Sequence, residues 1–146
     1  MTGPDPETAY RRSRLALAAR IVLAGPVIGT LVVWGADFAL GRMSQLFMAL
    51  LLPPLFLVLL ASGWVVGLLP AIVAAALWLF ADDVLYTTSQ RWIGVILVGG
   101  VTGAAVASPL VILSTQFRPL DVPLIMSTAL AGIVALALTV RPWSEG

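Results

Sequence analysis

The chain has 146 residues, 60% of them hydrophobic and 10% charged, with mean hydropathy +1.05 and a formal net charge of +1. A soluble domain carries about 25% charged residues, so a globule folded in water is excluded, and lipid is the solvent that suits this composition. Cys, His and Lys are all absent, which excludes disulfides, thiolate and iron–sulfur chemistry, His-ligated haem or metal, a Ser–His pair, a Schiff base and a Ser–Lys dyad.

Residues 1–14 are polar and end in Arg11, Arg12 and Arg14. Asp5 and Glu7 precede this cluster, and the apolar run from Ile21 to Leu40 is too long for the h-region of a signal peptide. The run therefore reads as an uncleaved first span, near 16–40, and residues 8–20 as an interfacial helix leading into it. Leu46 to Ala81 is a second apolar block without a charge, too long for one straight span of about 20 residues. Ser62-Gly63-Trp64 is the best place for a turn inside it, because Gly and Ser punctuate and Trp favours the interface. That gives spans near 44–61 and 64–81. Pro53 and Pro54 stand at the centre of the first and remove two backbone donors, so this segment is either kinked or a re-entrant hairpin. Asp82 to Arg91 is a polar loop, and 92–116 the next span, interrupted by Pro109. Phe117 to Asp121 is a tight connection. A last span near 121–140 has Pro123 in its first turn, where the missing donor costs nothing, and residues 142–146 form a short tail.

The expected fold is thus all-α: a compact bundle of five transmembrane helices over 15–141, the alternative being four spans plus a re-entrant hairpin at 44–61. Arg excess marks the cytoplasmic side. Both arrangements place the N-terminus there; five spans put five Arg inside and three outside, four spans six inside and two outside. All the basic residues are Arg, and the Ala, Val, Leu and Gly content points to a GC-rich bacterial genome, hence a bacterial inner membrane.

Three glycine spacings are packing signals: Gly25 with Gly29, Gly63 with Gly67, and Gly99 with Gly103, the last extended by Ala107. Each pair shares one helical face and lets backbones approach where lipid supplies no hydrophobic drive. Internal packing is one use of such faces, contact with a partner chain the other. Asp37, next to Trp34, and the pair Asp82 and Asp83 are the candidate ion or proton sites, since an ionisable group at membrane depth is a functional hypothesis by default and neighbouring carboxylates raise each other's pKa and can hold a cation. Interfacial placement of Asp37 and a solvated loop for Asp82 and Asp83 are the plainer readings. Pro26, Pro53, Pro54, Pro70 and Pro109 put a proline in each of the first four spans, and no polar side chain near Pro53 completes a transporter-type broken-helix site.

No catalytic or metal constellation and no cofactor site is recognisable, and no basic stretch marks a nucleic-acid footprint. The expected partners are the lipid bilayer and either another membrane protein or a second copy. A small accessory or structural subunit of a larger membrane complex comes first. A homo-oligomeric transporter or channel for an ion or small solute comes second, with only Asp37 and hydroxyls such as Thr102, Ser108, Ser114, Ser127 and Thr128 to line a path. A lipid-modifying enzyme, dependent on Asp82, Asp83, Asp121 and Arg, comes third.

Overall fold

The computed structural model describes residues 6–41, 53–115 and 121–141. These form helices α1 (Pro6–Ala39), α2 (Pro53–Asp82), α3 (Thr88–Thr102), α4 (Ser108–Thr115) and α5 (Val122–Val140). A π-helical turn, Gly103–Ala107, joins α3 to α4, so the five helices make four rods. All four rods are long and apolar enough to cross a membrane: Glu7–Ala39, Phe56–Asp82, Thr88–Leu113 and Val122–Val140. No strand occurs among the described residues.

The expectation of five spans is not confirmed, and the turn proposed at Ser62-Gly63-Trp64 is corrected: α2 runs through it unbroken. The physical reason is packing. A Cβ at Gly63 would lie 2.6 Å from Thr30 Cγ2, and Trp64 Nε1 donates to the Leu23 carbonyl at 3.2 Å. In a membrane helix, Gly and Ser mark close approach as readily as they mark a break. The span near 44–61 lies outside the described residues as far as position 52. Pro53 and Pro54 are the first two residues of α2, where a missing N–H costs no helical bond. A second correction concerns residues 8–20: they continue α1 instead of forming a separate interfacial helix. At a rise of 1.5 Å per residue α1 is about 50 Å long, well beyond the hydrocarbon thickness of about 30 Å.

The rods form a ring in which α1 packs on α2 and α5, and α3 on α5 and more lightly on α2. Two close crossings hold it. At the first, Gly63 meets Thr30 and Gly67 meets Pro26, with a Cβ at Gly67 only 2.9 Å from Pro26 Cβ. At the second, α3 and α5 touch backbone to backbone. A Cβ at Gly99 would lie 2.7 Å from the Gly132 carbonyl oxygen, and one at Gly103 or Gly132 would overlap the carbonyl opposite. Each helix glycine gives up about 0.8–1.0 kcal/mol of propensity relative to Ala, offset here by the dispersion contacts of touching backbones.

The densest part of the core surrounds Trp78, which is fully buried with Ile21, Ala75, Val95 and Leu136. Gly94 makes room for the indole: a Cβ there would lie 3.2 Å from Trp78 Cζ3. Local signals set the helix ends. Thr87 caps α3 in a reciprocal capping box with Gln90. Asp121 caps α5, accepting from Leu124 N–H at 2.8 Å. Gly41 follows α1 in the left-handed region at φ 66, its N–H bonded to the Phe38 carbonyl at 3.0 Å.

The π turn has a covalent cause. Pro109 has no N–H to give the carbonyl four residues back, and its ring crowds that carbonyl. Widening the turn relieves the clash, and the Ser108 N–H bonds the Gly103 carbonyl in π register. The Ser108 hydroxyl donates to the Ala104 carbonyl. Beyond this turn α4 touches α2 and α5 only sparsely.

Candidate functional site

Four charged side chains, Arg14, Asp82, Asp83 and Arg91, meet at one end of the bundle, where α1 and α3 begin and α2 ends. Arg14 Nη2 lies 3.1 Å from Asp83 Oδ2. Tyr10 Oη donates to Asp83 Oδ1 at 3.1 Å, and Arg14 Nη1 donates to Tyr10 Oη at 3.3 Å. Arg14 also donates to the Leu79 carbonyl, one of the orphan acceptors at the end of α2. Arg91 Nη2 faces Asp82 Oδ1 at 3.5 Å.

The electrostatic reason is plain. The last turn of α2 contains no basic residue, and its acids sit at the negative end of the helix dipole, unfavourable by about 0.3–1 kcal/mol each. Arg14 from α1 and Arg91 from α3 supply the missing positive charge. Asp82 and Asp83 therefore do not converge on one site: each serves a different neighbouring helix. The pairs are partly exposed, and pairs of that kind contribute at most about 1 kcal/mol. Their effect is on the relative placement of three helix ends.

Asp37 is buried, 4% exposed, but far away: about 35 Å from Arg14 along α1. That exceeds the hydrocarbon thickness of about 30 Å, so Asp37 and the ionic end mark opposite faces of the bundle. Beside it, the Trp34 ring meets Phe56 edge-on at 5.7 Å. Among the described residues, no three metal-ligating side chains come together.

Between the two ends lies a feature that spacing alone did not reveal, a cavity of about 420 Å³ lined by all four rods. Its walls include Gly25, Gly29, Gly67, Thr102, Ala107 and Thr128. The three glycine pairs thus separate by role. Gly63 with Gly67, and Gly99 with Gly103, press against a neighbouring helix. Gly25 and Gly29 do not: a Cβ at Gly29 would meet nothing within 4 Å, and one at Gly25 only Ala71 Cβ at 3.8 Å. This third stripe borders open space.

The described walls contain no charged side chain. Their threonine hydroxyls are turned back on their own helices: Thr30 donates to Pro26 at 2.8 Å, Thr102 to Val98 at 2.7 Å and Thr128 to Leu124 at 3.0 Å. A buried water needs 2–4 polar partners, and these walls offer few. The cavity is partly open to its surroundings.

No protein-family profile, curated protein or solved structure matches this chain.

Proposed function

We propose that the chain is a small, non-catalytic subunit that packs within a larger complex of a bacterial inner membrane, with its N-terminus in the cytoplasm. The observation that carries this reading is the use made of the charged groups at the α2 end. With Cys, His and Lys missing, Asp and Arg are the main candidates for chemistry, and Asp82, Asp83, Arg14 and Arg91 are engaged in tying helix ends together. The orientation rests on Arg distribution. With four rods, the described residues Arg11, Arg12, Arg14, Arg20, Arg91 and Arg141 fall on one side, and an Arg-rich side is the cytoplasmic one.

The test is purification of the full chain through a terminal tag in mild detergent, repeated with the tag on any protein recovered. A second membrane protein recovered in fixed stoichiometry from both directions, and depleted from membranes when this chain is deleted, is the expected result. A chain that elutes alone or only with copies of itself overturns the proposal.

A second reading, a homo-oligomeric transporter or channel, is favoured by the intramembrane cavity. The uncharged walls suit a neutral solute better than an ion, whose desolvation they would not offset. Flux of a neutral solute into vesicles containing only this chain distinguishes this reading from the first.

A further inference from the structure

We propose that the cavity between the four rods is a lipid site, which takes up one acyl chain of a bilayer phospholipid. The inference is independent of the subunit reading and stands or falls on the cavity alone.

Shape is the first argument. The lining runs about 20 Å along α1, from Ile21 to Trp34, and about 13 Å along α2 and α5. Spread over that length, 420 Å³ makes a narrow bore, which an extended hydrocarbon chain can thread. An α-helix with its side chains is about 10–12 Å across, too wide for a bore of this volume and length, so a helix from a partner or from a second copy does not fit. The length also suits a chain that belongs to one leaflet, half of a hydrocarbon core of about 30 Å.

Chemistry is the second argument. Neutral walls made of Gly, Ala, Val, Pro and self-bonded Thr match a neutral chain. A headgroup has no charged partner inside and stays at the interface. Access is the third. The cavity is partly open, and around a membrane-spanning bundle the medium is one in which acyl chains are the solvent. Gly29 is the fourth. A glycine in mid-helix with nothing near its missing side chain serves no helix contact, whereas it leaves the bore clear.

The experiment uses the full chain reconstituted into vesicles of palmitoyl-oleoyl phosphatidylcholine, extracted into mild detergent and analysed by native mass spectrometry. The wild type is expected to retain one lipid per chain through detergent washing. Gly29→Leu places its side chain in the bore and is expected to lower that retention at least about tenfold, equivalent to about 1.4 kcal/mol of binding. Ala107→Leu, from the opposite wall, repeats the test should the first variant fail to fold, with thermal melting as the check on folding. Ile93→Ala alters only the outer surface and should leave retention unchanged. A wild type that retains no lipid overturns the proposal. So does equal retention in a folded cavity-filled variant, because the lipid would then lie on the outside.

Discussion

Gly103 and Gly29 show how much the role of a single missing side chain depends on what stands opposite. At Gly103 the space for a Cβ is already filled by the Thr128 carbonyl and by Ala129 Cα. Backbone atoms cannot rotate away as a flexible side chain can, so Gly103→Val must push α3 and α5 apart. Overpacking typically costs about 1–3 kcal/mol and more where the backbone must move. We expect Gly103→Val to destabilise by at least about 3 kcal/mol, read as a large drop in the thermal melting of the detergent-solubilised chain. Gly29→Leu in the same assay should lose far less, since its side chain enters open space. A similar loss in both variants would contradict the roles drawn from their surroundings. Both glycines belong to spacings that the sequence displays openly. Which of them meets a backbone and which a void was not legible there, because spacing defines a helical face and leaves its neighbour undefined.

At the level of the element, the residues that stop a helix in water need not stop one in lipid. Ser62-Gly63-Trp64 resembles a turn by the rules of water-soluble chains. In lipid, exposed backbone groups have no water to bond to, so a helix that breaks there loses several kcal/mol per unpaired group. Continuing through the glycine costs only about 1 kcal/mol. The glycine then becomes a contact with α1. The true ends use side-chain caps that stood in plain view: Thr87 with Gln90 three residues on, and Asp121 ahead of Pro123. Asp121 drew notice as a possible chemical acid, yet its carboxylate accepts the Leu124 N–H. Replacing it with Ala should destabilise by about 0.5–2 kcal/mol, and Asp121→Asn, a cap of similar strength, should restore most of that. Chemical denaturation monitored by far-UV circular dichroism checks the pair. Equal loss in both variants would show that the charge matters and the cap does not.

For the whole molecule the decisive quantity is the number of crossings, since it determines which ends share a compartment. The apolar character of the chain and its all-helical build follow from composition. The count does not, because an apolar block such as 46–81 has no internal charge to mark where a span ends. Contacts between rods supply what hydropathy lacks. Arg14 reaches Asp83 and Leu79, so the start of α1 and the end of α2 lie at the same end of the bundle. Arg91 joins Asp82 across the short connection to α3. Five spans would place residue 86 on the side opposite the N-terminus, whereas four rods place it on the same side. The chain has no native cysteine, so single introduced thiols report without background. Thr8→Cys and Tyr86→Cys should react with an impermeant maleimide from one side of sealed vesicles, and Leu40→Cys from the other. Tyr86 is 85% exposed and Leu40 56% exposed, so labelling needs no opening of the fold. If Tyr86→Cys instead labels together with Leu40→Cys, the chain makes an odd number of crossings before α3, and the ionic tie between α1 and α2 cannot form in the membrane.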